Sequence, residues 1–282
     1  MHIINHIPQL ESRIDLEHKR CRSIALVPTM GNLHDGHLAL LDKARHLADL
    51  VVLSIFVNPI QFNSPKDYAN YPKTLARDLS LAEHHGVDYV FLPAEQDIYP
   101  ATQVPLSVDI PRLTNVFCGK HRPGHLQGVL KVICILFNLI RPHYAVFGEK
   151  DFQQLLVIRT MVRQLHMAVR VVGVPTVRSE AGLALSSRNV HLSDEEKESA
   201  GSIYQVLKRV GDQLVHGADN FVEMEQQAMT YLKTKALRPE YFNVVKADNL
   251  QPAEVEDKNL VILTACYLGS TRLIDNLLCK RR

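Results

Sequence analysis

Residues 28–37, PTMGNLHDGH, decide how this chain folds. Ahead of them runs Ser23-Ile24-Ala25-Leu26-Val27, a short apolar stretch that predicts a buried strand. Behind them, residues 38–45 predict a helix with Leu38 and Leu41 on one face. Gly31 and Gly36 bracket the turn, and His34 and His37 stand where the helix should begin. A helix N-terminus gathers unpaired backbone N–H groups and partial positive charge, so it favours an anion. Two imidazoles placed there can donate further hydrogen bonds to phosphate oxygens. The same residues also fit a plain strand-to-helix turn with two exposed histidines. A zinc site is the weaker reading, because the glutamate of an HExxH helix is missing and Gly36 sits inside the pair.

Outward from the turn, residues 50–57 form a nearly continuous apolar run ending at Asn58-Pro59, as suits a strand covered on both faces. Residues 73–85 predict a helix with Leu75, Leu79 and Ala82 on one side and Gly86 as its stop. A strand is expected at 87–92, closed by Pro93, then a helix at 125–139 and a strand at 145–147. A helix at 152–166 and a strand at 169–174 complete the series. This alternation is the pattern of a doubly wound parallel sheet, in which ligands gather beyond the carboxyl ends of the strands. Past Pro175 the pattern changes. Ser193-Asp194-Glu195-Glu196 is a capping box that opens a helix expected to reach Val215, and a second helix follows at 221–235. Three short strands, at 241–245, 261–265 and 272–275, predict a small mixed or antiparallel sheet. The expected architecture is a two-domain α/β chain, divided into residues 1–176 and 177–282.

A length of 282 residues, 46% hydrophobic and 22% charged, fits a soluble globular protein of that size. The net charge of +2 demands no nucleic acid, and Lys280-Arg281-Arg282 reads as a solvated tail. Residues 1–6 lack the basic and apolar segments of a secretory signal. The most apolar helix, 129–140, contains Lys131 and Asn138 and is too short to span a bilayer, so no membrane partner is expected. Cys21, Cys118, Cys134, Cys266 and Cys279 form no CxxC and no even framework, which favours reduced thiols and a cytoplasmic location.

Polar residues cluster where strands end. Asn58 and Gln61 leave the second strand, and an amide that both donates and accepts suits a hydroxyl or carboxylate ligand, or simply its own loop. In Phe147-Gly148-Glu149-Lys150-Asp151-Phe152-Gln153-Gln154, Lys150 offers a point charge to phosphate and Asp151 an acceptor to ribose. Gln154, one helical turn on, can face the same cleft, although the cluster also fits a solvated helix start. Ser186, Ser187 and Arg188 read as a phosphate clamp or an exposed turn, and Arg122 adds a cation ahead of a helix.

In order along the chain, PTMGNLHDGH, SIFVNPIQF, RPGH, FGEKDFQQL, VGVPTVR, LALSSRN and TRLIDN resemble the pantothenate synthetase (pantoate–β-alanine ligase) family. The turn His34-Asp35-Gly36-His37 resembles the HxGH motif of the nucleotidylyltransferase superfamily. The resemblance runs from Ile24 to Asn276 and implies a Rossmann-like N-terminal domain, with a smaller C-terminal α/β domain closing over ATP. It further implies a homodimer and a cytoplasmic place in pantothenate and coenzyme A biosynthesis. The implied chemistry has two steps: pantoate and ATP give pantoyl adenylate and pyrophosphate, and the amine of β-alanine then displaces AMP.

By the same resemblance, Met30, Gly31, Asn32, Leu33, His34, Asp35, Gly36 and His37 cradle ATP, with His34 and His37 on its phosphates and His37 a proton donor. Gly148, Glu149, Lys150 and Asp151 contact the nucleotide, while Val177, Leu185, Ser186, Ser187 and Arg188 complete its site. Gln61 and Gln154 hold pantoate, Gln61 also lies near β-alanine, and Asn58 and Arg122 are substrate-side supports. Magnesium accompanies ATP, bridging its phosphates rather than sitting in a protein cage. Leu185 stands where some relatives carry Met, and Cys266-Tyr267-Leu268 is less typical of the closing region. A different HxGH nucleotidylyltransferase would share the turn without accounting for SIFVNPIQF or FGEKDFQQL. A non-catalytic nucleotide-binding regulator would be expected to lose His34, His37, Lys150 and Arg188, all of which are present.

Overall fold

The computed structural model of the protein describes residues 1–281. Six strands form one parallel sheet: β1 (His2–Ile4), β2 (Ile24–Thr29), β3 (Leu50–Ile55), β4 (Tyr89–Phe91), β5 (Tyr144–Gly148) and β6 (Arg170–Val174). Their order is β1-β4-β3-β2-β5-β6, and every pairing is parallel. Residues 24–27 and 50–53 are at most 2% exposed, so the two central strands are covered on both faces and read as unbroken apolar runs. From β2 the chain steps outward through β3 and β4, then returns to lay β5 on the opposite side of β2. The order therefore reverses between β2 and β5, the place where doubly wound sheets collect ligands.

The helices of this part are α1 (Ile7–Lys19), α2 (Asp35–Leu47), α3 (Leu75–His84), α4 (His125–Ile140) and α5 (Phe152–Gln164). No expectation covered β1 or α1. The buried positions of α1 are Leu10, Ile14 and Glu17, so a carboxylate interrupts the apolar stripe. Glu17 is tolerated inside because the Tyr89 hydroxyl (2.9 Å) and Arg22 (3.2 Å) both donate to it. The expected stripe of α3 is also revised: Asp78 and Ala82 are buried, whereas Leu75 is 46% exposed.

Beyond β6, helices α6 (Asp194–Ala200), α7 (Ser202–Val215) and α8 (Phe221–Thr234) precede the antiparallel strands β7 (Arg238–Lys246), β8 (Asn259–Leu268) and β9 (Thr271–Lys280). Leu207, Leu214, Leu232, Leu260 and Ile262 form the centre of its core. The capping box at Ser193 and Glu196 is made, at 3.1 and 2.9 Å. The single helix expected to reach Val215 is instead two. It breaks at Gly201, where a Cβ would lie 2.1 Å from the Ala181 carbonyl oxygen. By internal contacts the chain divides into Met1–Glu149 with Gln153–Pro175, and Lys150–Phe152 with everything described from Thr176 onward. Lys150 and Asp151 thus group with the second unit although they follow β5.

The C-terminal tail corrects another expectation. Lys280 closes β9, and Arg281 is buried, donating to the carbonyls of Val255 (2.6 Å), Gly217 (3.2 Å) and Ala218 (3.3 Å). Arg282 lies outside the described residues. Among the described residues, no helix is long and apolar enough to cross a membrane.

Candidate active site

Between β2 and α2 the backbone takes the left-handed conformation twice running, at Gly31 (φ 81°) and Asn32 (φ 50°). Gly31 is needed there, because a Cβ would also lie 3.1 Å from both the Asp78 carboxylate and an Ile55 methyl. Asn is among the few other residues that tolerate such a φ. Asp78, 1% exposed on α3, holds the turn in place. Its Oδ2 accepts from the Asn32 N–H at 2.9 Å, and its Oδ1 from the Leu33 N–H at 2.8 Å and Thr74 Oγ1 at 3.1 Å. Nothing in the sequence singles out Asp78, which reads there as one more polar residue on an amphipathic helix.

His34 is the N-cap of α2. Its Nδ1 accepts from the Gly36 N–H at 3.2 Å, and His37 Nδ1 accepts from the His34 N–H at 3.4 Å. The two rings lie 4.1 Å apart, tilted by 40°. With both Nδ1 atoms accepting, each neutral ring carries its proton on Nε2. This changes the account of anion binding. The N–H of Gly31 goes to Thr29 Oγ1 (3.2 Å), and those of His37 and Leu38 go to the His34 carbonyl (2.7 and 3.1 Å). Most amides of the turn hold the turn itself, and the tautomer this requires keeps the imidazole protons on Nε2. The partial charge of α2 favours an anion there.

Beside the turn stands Gln61, 8% exposed. Its Oε1 accepts from Asn58 Nδ2 at 2.9 Å, and its Nε2 lies 3.0 Å from Met30 Sδ. Its carbonyl accepts from His125 Nδ1 at 2.8 Å and from Arg122 at 3.3 Å. Asn58, 1% exposed, also donates to the Gly128 carbonyl at 3.1 Å and accepts from the Tyr99 hydroxyl at 2.8 Å. Asn58 and Arg122 both hold Gln61, Asn58 through the Gln61 side chain and Arg122 through the Gln61 carbonyl. Of the two adjacent glutamines on α5, Gln153 is buried and serves the backbone, bonding Cys118, Leu113 and Val116 at 2.7–3.0 Å. Gln154 is half-buried and is not used in this way. Gly148 ends β5 with nothing within 4 Å of the Cβ it lacks, while Glu149 packs where a Cβ on Gly173 would stand, at 2.7 Å.

In the second unit, Lys150 Nζ lies 4.0 Å from Asp151, and the Lys150 carbonyl accepts from Asn276 on β9 at 2.9 Å. Residues 177–186 fold back on themselves, Leu185 N–H donating to the Val177 carbonyl at 3.0 Å. Arg178 anchors this loop. Its guanidinium makes a two-pronged pair with Asp275 (2.6 and 2.9 Å), donates to the Gly182 carbonyl and lies 3.6 Å over the Tyr204 ring. Ser186 caps the short turn Ser187–His191 by accepting from the Arg188 N–H at 3.3 Å. The first unit thus gathers residues 30–37, Asn58, Gln61, Arg122, Gly148, Glu149 and Gln154. The second gathers Lys150, Asp151, Val177 and residues 185–188. Arg178, Asp275 and Asn276 hold the latter segments. All three lie in the blocks VGVPTVR and TRLIDN, where nothing local marks them as anchors.

A profile of the pantoate–β-alanine ligase family matches residues 2–278. A pantothenate synthetase of Pseudomonas putida (strain W619) is 46% identical over 278 residues, spanning 98% of this chain and 97% of that protein. One from Marinobacter nauticus is 44% identical over 280 residues, with 98% and 99% covered. Pantothenate synthetase from Thermus thermophilus superposes with a TM-score of 0.91 at 40% identity, covering 98% of this chain and 99% of that one. Pantoate–β-alanine ligase from Francisella tularensis, complexed with β-γ ATP and β-alanine, gives a TM-score of 0.81 at 35% identity, covering 99% and 97%. With likeness of this degree along nearly the whole of each protein, the chain belongs to the pantoate–β-alanine ligase, or pantothenate synthetase, family.

Proposed function

We infer that this chain condenses (R)-pantoate with β-alanine, driven by ATP, through a pantoyl adenylate. A carboxylate oxygen of pantoate attacks the α-phosphorus of ATP, the bond to the bridging oxygen breaks, and pyrophosphate leaves. The amine of β-alanine then attacks the acyl carbon of the mixed anhydride, loses a proton, and releases AMP. The observation that carries this reading is the histidine pair whose Nδ1 atoms hold the start of α2, in the same turn as Met30, whose sulfur meets a Gln61 amide held from several sides. The reaction asks little covalent work of the protein; it asks that charge be stabilised and reactants be aligned.

In this assignment His34 and His37 meet the phosphates, with His37 as proton donor, and residues 30–37 cradle the nucleotide. Gln61 and Gln154 hold pantoate. Lys150 neutralises phosphate charge, Asp151 accepts from ribose, and Gly148 and Glu149 flank the nucleotide. Val177, Leu185, Ser186, Ser187 and Arg188 complete the ATP site, residues 177–282 acting as a domain that closes once ATP is bound. Magnesium enters with ATP, since a hard cation takes phosphate oxygens and water. The homodimer rests on the family resemblance. A cysteine spacing with no CxxC and no even framework supports a reducing, cytoplasmic setting. The deciding assay mixes protein, ATP, magnesium, pantoate and β-alanine. AMP and pantothenate should appear together, in equal amounts and only with all components present; AMP without pantothenate would overturn the reading.

A further inference from the structure

We propose that Tyr99 is a positioning residue for this reaction: the Gly128 carbonyl sets which way the Asn58 amide faces, Tyr99 holds Asn58 in that place, and Gln61 is thereby kept turned to meet pantoate as an N–H donor. The inference rests on the reading that Gln61 holds pantoate. An amide has chemically opposite ends of nearly equal shape, and rotating it by half a turn exchanges donor for acceptor. Here the orientation is dictated by a backbone group. The Gly128 carbonyl can only accept, so the atom of Asn58 facing it at 3.1 Å must be Nδ2. The second hydrogen of that nitrogen points to Gln61 at 2.9 Å, which must answer with Oε1. Asn58 Oδ1 is left for the Tyr99 hydroxyl, which donates at 2.8 Å.

Burial first, and the charge of Glu95 second, raise the Tyr99 pKa, so its hydroxyl remains a donor at any working pH. Gln61 Nε2 consequently projects from the far side of the relay, where its contact is Met30 Sδ at 3.0 Å. A thioether is a weak acceptor, and a carboxylate or hydroxyl oxygen replaces it readily. The backbone beneath is equally constrained. A Cβ on Gly128 would lie 2.8–2.9 Å from Ile60 O and Gln61 N, so α4 rests directly against residues 60–61.

The test compares Tyr99→Phe, Gln61→Ala and Gln61→Glu, with the dissociation constants of pantoate and of ATP measured separately by calorimetry. Tyr99→Phe keeps the ring beside Phe56 and Lys131 but loses the hydroxyl. Pantoate should bind about fivefold more weakly, the value of one net hydrogen bond, with ATP binding unchanged. Gln61→Glu, which has the native shape but acceptors at both ends, should bind pantoate worse than Gln61→Ala does. If Gln61→Ala weakens pantoate while Tyr99→Phe does not, the relay is wrong and the Gln61 assignment stands. If Gln61→Ala leaves pantoate binding intact, the assignment fails and the relay with it. Equal weakening of both ligands in Tyr99→Phe overturns the proposal in favour of a general structural role, and so does native pantoate affinity in Gln61→Glu.

Discussion

His34 and His37 share two duties. Each secures the start of α2 through Nδ1, His34 as the N-cap and His37 as the other half of the capping box, and in the proposed site each faces phosphate through Nε2. Each alanine variant should lower turnover by roughly a hundredfold, the scale of losing one preorganised donor. Each should also lose one bond of the capping box, and His34→Ala, which removes the N-cap side chain itself, should cost about 1 kcal/mol of stability. His34→Asn separates the duties: a capping side chain returns, the reach to phosphate does not, so melting should recover while turnover stays low. Native turnover in both alanine variants would remove the pair from the chemistry. Asp78 makes a second residue-level case. Asp78→Asn leaves one of the Asn32 and Leu33 N–H groups without an acceptor in a buried place, which costs about 1–3 kcal/mol. A loosened turn should then raise the KM for ATP more than that for pantoate; equal effects would argue that Asp78 supports the fold alone. The histidines were legible in the sequence because a motif of close neighbours announces itself. Asp78 and Tyr99 were not, since each acts on a partner more than 40 residues away in the chain.

At the scale of elements, the parallel strands were readable because burial on both faces leaves no polar alternation to confuse with a surface strand. Their ends were not, since a strand stops where its neighbour does; β4 is only Tyr89–Phe91 because that is all β1 pairs with. The break between α6 and α7 falls at Gly201, a residue that weakens a helix and that leaves room here for the Ala181 carbonyl, a distant contact the sequence did not show. Glycines offer a sharp test of which contacts matter. Gly128→Ala must push α4 off residues 60–61, so melting should fall and the KM for pantoate should rise several-fold. Gly148→Ala meets nothing within 4 Å, so the fold should keep its melting temperature. Any activity it loses would then be loss of a ligand's approach to the end of β5. If Gly148→Ala is fully active and Gly128→Ala binds pantoate normally, neither strand end carries the substrate.

At the scale of the whole molecule, the assigned nucleotide contacts are divided between the two units, and Lys150 groups with the second. A nucleotide that draws on residues of both gains affinity for whatever arrangement satisfies both, which is the condition for a ligand to shift a population. Exclusion of water on closure would also protect a mixed anhydride that hydrolyses readily. If Gln61 and Gln154 of the first unit hold pantoate, as proposed, its binding should be indifferent to the second. Labelled pyrophosphate should exchange into ATP with pantoate alone, because adenylation needs no amine. Lys150→Ala and Arg188→Ala should each slow that exchange and weaken ATP binding while leaving the dissociation constant of pantoate unchanged. Asp275→Asn probes the same loop from beneath. It replaces the charged two-pronged pair with a single neutral acceptor oxygen beside the Gly182 carbonyl, so the anchor of residues 177–188 weakens without touching a residue assigned to the nucleotide. It should therefore reproduce the Arg188→Ala phenotype more mildly. If Asp275→Asn lowers stability but exchange and ATP affinity stay native in both variants, the loop is a surface turn and the second unit has another purpose.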